Sequence, residues 1–230
     1  MSDVVDAAAV AEAVGAVDRR IAALAGGRRV QLVAVTKGFG ADAIVAAVAA
    51  GCTAIGENYA QELQHKMAEI EASGGLHPRP EVHFIGQLQT NKVRLVAPLV
   101  DVWETVDRAA LADEIAKRVP GARVYVQVNL TAEADKGGCS PEEAEVLVQH
   151  CAAAGLHVEG LMTVGPTSAD PAETAAAFGA LDALAERLGL AGRSMGMSGD
   201  YESAIAHGAT HVRIGSALFG PRPIRRARIG

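Results

Sequence analysis

Short β-rich runs alternate with amphipathic helical stretches along almost the whole chain, and this rhythm constrains the fold more than any other feature. Strands are expected over 30–35, 53–55, 82–85, 100–103, 123–128, 156–162, 194–196 and 211–214. Helices are expected between them, over 41–50, 59–72, 90–96, 107–119 and 202–207. Two further helix starts carry explicit capping chemistry. Ser140-Pro141-Glu142-Glu143 and Asp170-Pro171-Ala172-Glu173 each place a capping side chain before a proline and a glutamate two residues on. An opening helix over 3–25 precedes the first strand, with Val10, Val14, Val17, Ile21 and Leu24 at steps of three and four before Gly26-Gly27.

Repeated βα units of this kind read as an α/β protein, a single (β/α)8 TIM-type barrel with an extra N-terminal helix. A length of 230 residues suits one such barrel. The competing architecture, an open doubly wound sheet, lacks its G-x-G-x-x-G turn after the first strand. No linker or composition shift divides the chain, so one domain is expected over 1–230. Within it, 1–27 is the N-terminal helix and 221–230 a basic tail carrying Arg222, Arg225, Arg226 and Arg228. The tail reads as a disordered end, or as a contact for an acidic partner.

Charge and composition exclude several function classes. A formal net charge of −6 argues against a general nucleic-acid binder. There is no apolar run long enough for a membrane helix, and the acidic first residues are unlike a signal peptide. Cys52, Cys139 and Cys151 form no C-x-x-C pair, and an odd count cannot close fully into disulfides, so a reduced, cytoplasmic setting is expected. The histidines show no zinc-ligand spacing. A monomer is expected, because no helix shows an obvious exposed apolar stripe.

In such a barrel, chemistry resides at the carboxyl ends of the strands. Lys37 follows the apolar run Leu32-Val33-Ala34-Val35 and stands at that mouth. Two readings compete: a desolvated amine able to form a Schiff base with an aldehyde, or a lysine snorkelling to solvent. Met197-Ser198-Gly199 after strand seven and Ile214-Gly215-Ser216 after strand eight read as a phosphate cup, or as ordinary turns with capping serines. Arg213, beside that cup, is placed to donate to a ring nitrogen, or to form an ion pair with Glu57 or Asp200. An amine, a ring contact and a phosphate cup together describe a site for pyridoxal 5'-phosphate (PLP).

The same residues carry a family resemblance over nearly the whole length. Leu32 to Lys37, Gly56-Glu57-Asn58-Tyr59 with Gln61-Glu62, and His83 to Lys92 are matching stretches. So are Val106-Asp107, Gln127-Val128-Asn129 with Lys136 and Gly138, and Gly160-Leu161-Met162-Thr163. The strongest matches are Ser194 to Asp200 with Ala204-Ile205, Val212 to Ser216, and Phe219-Gly220. The chain resembles the pyridoxal phosphate homeostasis protein family, related to the N-terminal barrel domain of alanine racemase. The resemblance implies bound PLP with Lys37 as the aldimine lysine. It places Ser198, Gly199, Gly215 and Ser216 near the phosphate, Met197 in the same loop, Arg213 at the pyridine nitrogen and Asn58 near the cofactor. It also implies a role in vitamin B6 balance without established turnover. The chain departs from the family after Lys37, where Gly38-Phe39-Gly40 replaces a more usual Thr-Lys or Thr-His continuation, so no second cation is implied there.

Two enzymatic alternatives stand beside this reading. A PLP-dependent racemase or decarboxylase needs a second base, and the chain ends soon after its last strand, without room for the β domain that supplies a racemase's tyrosine. Of the tyrosines, Tyr125 falls inside a strand, while Tyr59 and Tyr201 begin helices near the mouth. A cofactor-free Schiff-base aldolase needs the lysine but not the ring and phosphate contacts. An open mouth without a lid domain favours reversible holding of PLP, with apo-enzymes as clients. Gln87 is expected to reach the mouth, and Asn91 and Lys92 to begin a solvated helix.

Overall fold

The computed structural model describes residues 5–131, 133 and 135–221. Beyond Pro221 the basic tail, with Arg222, Arg225, Arg226 and Arg228, lies outside the described residues, as do the first four positions. The strands are β1 (Gln31–Val35), β2 (Ala54–Glu57), β3 (Glu81–Phe84), β4 (Val102–Val106), β5 (Arg123–Gln127), β6 (His157–Met162), β7 (Gly192–Ser194) and β8 (His211–Ile214). They run parallel and close in sequence order, with β8 pairing back onto β1. The helices are α1 (Ala7–Ala25), α2 (Ala41–Ala49), α3 (Ala60–Ala72), α4 (Val93–Val96), α5 (Ala109–Arg118), α6 (Ala144–Ala153), α7 (Pro171–Arg187), α8 (Tyr201–Ala206) and α9 (Ser216–Phe219). The expected (β/α)8 barrel and its extra N-terminal helix are both present.

Local chemistry explains the element boundaries. The Asp6 carboxylate caps α1 by accepting from the Ala8 and Ala9 N–H groups. Val10, Val14, Val17, Ile21 and Ala25 form the face of α1 that is buried in the main core, and Gly26 ends it in the left-handed conformation. Asp170 caps α7 with Pro171 in its first turn, as its sequence predicts.

Several boundaries differ from expectation, four of them with a clear physical cause. The fourth strand is β4, not 100–103. The Val100 N–H closes the turn after α4 by donating to the Val96 carbonyl, while the Asp101 carboxylate accepts from the Val82 N–H and from Arg79. That strand then continues through Glu104 and Thr105, polar residues that an apolar-run criterion discards, and both are fully buried. The expected helix over 90–96 is a single 3-10 turn at Thr90–Lys92 followed by the four residues of α4. Ser140 does not start α6, which begins at Ala144. The capping box is half made, with the Ser140 N–H donating to Glu143 Oε2 at 3.0 Å. The seventh strand ends at Ser194; Gly196 adopts φ 93° while its carbonyl still accepts from the Arg213 N–H of β8.

Inward-facing side chains fill the barrel, and many of them are polar. Val102, Tyr125 and Met162 make an apolar patch separate from the main core. Beside it, His83 on β3 donates from Nδ1 to Glu104 Oε1 on β4 at 2.5 Å, with both side chains fully buried. Burial opposes the imidazolium, but the hydrogen bond to Glu104 and the charges of Glu104 and Glu81 outweigh it, raising His83 to about 9. Burial likewise favours a neutral Glu104, yet the hydrogen bond and charge of His83, helped by Arg213, pull it down to about 2. The pair is therefore ionised across the physiological range.

That assignment predicts a pH signature. His83 titrates above its ordinary value of 6.5, so its contribution to stability is complete below that value and is lost as pH rises through about 9. Urea unfolding followed from neutral pH to pH ~10 should show a decline that His83→Gln makes shallower. Identical alkaline slopes in the two proteins would contradict it.

Candidate functional site

Period-two alternation past the end of β1 sends Val35 and Lys37 towards the mouth and Thr36 towards the helix layer. On the helix side, Lys66 of α3 is 2% exposed, and its Nζ donates to the Thr36 carbonyl at 2.8 Å and to Glu57 Oε1 at 2.6 Å. The same Nζ lies 2.8 Å from Glu62 Oε1, which accepts from the Gly38 N–H at 2.6 Å. The backbone is thus held immediately before and immediately after Lys37. Gly38 itself adopts φ 81°, a conformation that suits glycine. Burial pushes the Glu57 carboxyl up, and the charge and hydrogen bond of Lys66 oppose that shift.

Lys37 borders a cavity of about 480 Å³ at the carboxyl end of the barrel. Met197, Ser198, Gly199, Arg213, Gly215 and Ser216 line the same cavity, so seven of the eight residues proposed from the sequence meet there. The N–H groups of Gly215 and Ala217 converge on Ser198 Oγ at 3.3 and 3.2 Å, joining the loops after β7 and β8. A Cβ on Gly215 would stand 3.2 Å from the Val35 carbonyl, so the missing side chain is what lets this turn lie against β1. Asp200 shapes the other loop by accepting from the Met197 N–H at 2.5 Å. Met197 remains 38% exposed at the rim.

Arg213 is 3% exposed. Its Nη1 donates to Ser194 Oγ and its Nη2 to the Thr163 carbonyl, both at 2.7 Å. Neither Glu57 nor Asp200 is its hydrogen-bonded partner. Glu57 is engaged by Lys66, and the carboxylate near Arg213 is Glu104, at 4.0 Å. Burial pushes the guanidinium pKa down while the charges of Glu104 and Asp200 act against that.

Asn58 is the exception among the proposed residues. It borders a neighbouring groove of about 450 Å³ with Tyr59, Gln87, Gln89 and Lys92, and its Oδ1 is buried without a hydrogen-bond partner. Gln87 is exposed in this groove. Among the described residues no tyrosine lines the Lys37 cavity. Tyr59 is 53% exposed beside Asn58, and Tyr125 is buried in the barrel, where burial raises its phenol.

Sequence reasoning missed Phe39, which lines the Lys37 cavity and packs on Phe219 with ring centres 5.3 Å apart. It also missed Lys66, for which the Glu62/Lys66 spacing of four on one helix was an available signal. The three cysteines are buried and unbonded, and burial raises the thiols to about 12, 12 and 11 for Cys52, Cys139 and Cys151. Among the described residues there is no metal-binding cluster and no helix long and apolar enough to cross a membrane. An amine, a guanidinium, a serine hydroxyl and backbone N–H groups on one small cavity suit a ligand with an electrophilic carbon, an acceptor ring atom and an anionic end.

The alanine racemase N-terminal domain family matches residues 7–223. A pyridoxal phosphate homeostasis protein from Pseudomonas aeruginosa is 41% identical over 225 residues, covering 93% of this chain and 96% of that protein. A protein of the same name from Haemophilus influenzae is 40% identical over 205 residues, covering 84% and 85%. PipY from Synechococcus elongatus with PLP bound superposes with a TM-score of 0.79 at 32% identity, covering 92% of this chain and all of that one. Alanine racemase from Corynebacterium glutamicum shares the fold, with a TM-score of 0.69 at 21% identity over 98% of this chain and 64% of that one. The chain belongs to the pyridoxal phosphate homeostasis protein family, which is built on the alanine racemase N-terminal domain.

Proposed function

We propose that this protein binds PLP and serves intracellular vitamin B6 homeostasis, holding the cofactor at Lys37 rather than turning over a substrate. The observation that carries the reading is the meeting of Lys37, Arg213 and the Ser198/Gly215 turn pair on one cavity. The donor set matches the groups of PLP one for one: amine to aldehyde, guanidinium to ring nitrogen, hydroxyl and N–H groups to phosphate. PipY, solved with PLP bound, and the relatives named for PLP homeostasis support the same ligand.

When bound, PLP supplies a reactive aldehyde conjugated to an electron-accepting ring. Lys37, its backbone braced by Lys66 and Glu62, would present its amine to that aldehyde. Arg213 would donate to the ring nitrogen and, because a guanidinium keeps its protons, would leave that nitrogen unprotonated. An unprotonated ring is a weak electron sink, which favours storage over carbanion chemistry. Ser198, Gly199, Gly215 and Ser216 receive the phosphate, Met197 shields the rim, and Asn58 borders the site from the adjoining groove. The absence of a tyrosine on the cavity among the described residues supports holding over racemisation. A cofactor-free aldolase has no use for the buried guanidinium. Three buried, unpaired thiols fit a cytoplasmic setting. The reading extends to a monomer that exchanges PLP with apo-enzyme clients.

Borohydride reduction of the PLP-loaded protein followed by peptide mapping should place the mass tag on Lys37. Lys37→Ala should lose the tag and the visible absorbance while retaining weaker, phosphate-driven binding. A tag on another residue, or one kept in the variant, would overturn the assignment. Ser198→Ala should weaken PLP binding by about tenfold, or about 1.4 kcal/mol, through loss of the group that organises the two turns. An unchanged Kd in that variant would remove Ser198 from the phosphate site.

A further inference from the structure

Arg213 ends a line of side chains that runs inside the barrel. Its Nη1 donates to Ser194 Oγ at 2.7 Å, and Ser194 Oγ donates to Glu104 Oε2 at 2.5 Å. Glu104 Oε1 in turn accepts from His83 Nδ1 at 2.5 Å. Arg213 is 3% exposed and the other three are fully buried. The members come from β8, β7, β4 and β3, so the line crosses the barrel interior rather than following one strand.

The chemistry fixes the direction of every bond in this line. A guanidinium only donates and a carboxylate only accepts. The single Ser194 proton must therefore go to Glu104, which leaves a Ser194 lone pair for Arg213. Glu104 supplies one negative charge between the two cations His83 and Arg213. On the far side, His83 Nε2 lies 3.6 Å from Glu81 Oε2, and Glu81 pairs with Arg123 at the opposite end of the barrel. Glu81 thus shares the network's ionic character without touching Arg213.

We propose that Glu104, acting through Ser194 and locked from behind by His83, is the positioning residue that sets the orientation of the Arg213 guanidinium at the Lys37 cavity. The part of this proposal that concerns the ring nitrogen of PLP rests on the reading under Proposed function; the holding of Arg213 does not. Thr163, through its carbonyl, provides the second fixed point at 2.7 Å. Two anchors, Ser194 at the end of β7 and Thr163 just past β6, define a plane for a planar group, where one would leave it free to swing.

The test uses the full chain, first without PLP. Hydrogen exchange at the Arg213 Nε–H is followed by NMR, with the signal assigned through Arg213→Lys. Glu104→Gln and Ser194→Ala should each speed that exchange about tenfold or more, whereas Glu81→Gln should leave it unchanged even where its thermal stability falls as far. With PLP added, Glu104→Gln should keep the borohydride tag on Lys37 while the absorption maximum of the bound chromophore shifts, and Glu81→Gln should keep both. Unchanged exchange in Glu104→Gln and Ser194→Ala, or equal acceleration by Glu81→Gln, would reduce Glu104 to a structural residue. Should Glu104→Gln fail to fold, Ser194→Ala removes only the bridging hydroxyl and decides the matter. If the parent protein takes no tag at Lys37, the PLP reading fails, while the exchange data still decide what holds Arg213.

Discussion

A lysine only 2% exposed, held between two glutamates, fixes the end of the first strand, and the site depends on it. Lys66 is costly to bury as a cation, and Glu57 and Glu62 offset that cost only in this geometry. Removing one partner of such a buried pair typically costs about 3–5 kcal/mol, because the other charge is left stranded. The consequence lies one residue away. With the Thr36 carbonyl and the Gly38 N–H both tied to this cluster, the backbone at Lys37 has little freedom, and its amine is presented from a rigid strand end.

A second ionic group does comparable work on the inner surface of the sheet. Lys66, Glu57 and Glu62 lie between the barrel and α3, while His83, Glu104, Ser194 and Arg213 lie within it. The two groups approach the same cavity from opposite faces of the sheet, one through the amine and one through the guanidinium. The loops after β7 and β8 complete the cavity with Ser198 as the link between them. Three independent pieces of the fold are thus brought to one small volume, as a ligand with three different recognition groups requires.

The barrel was legible in the sequence because its strands are short apolar runs set between helices, and period-two and period-three-to-four patterns are local. The mouth was legible for the same reason, since strand ends can be read once strands are placed. What escaped was polar and buried. Glu104 and Thr105 look like the end of a strand because they break an apolar run, yet they belong to β4 and are satisfied by residues far away in sequence. Lys66 looks solvated because a lysine on a helix usually is, and only Glu57 on β2 and Glu62 on α3 make its burial tolerable. Arg213 lines the cavity at the end of β8, and the carboxylate beside it is Glu104 rather than Glu57 or Asp200, because barrel closure, not chain proximity, brings Glu104 near. Asn58, one residue past β2, borders the adjoining groove rather than the Lys37 cavity.

The most direct measurement is a crystal structure of the protein grown with PLP. The account predicts continuous density from Lys37 Nζ into the ligand, a phosphate seated between the Ser198 and Gly215 turns, and the ring nitrogen within hydrogen-bonding distance of Arg213. PLP bound elsewhere on the molecule, or bound in this cavity with its phosphate away from those two turns, would contradict it.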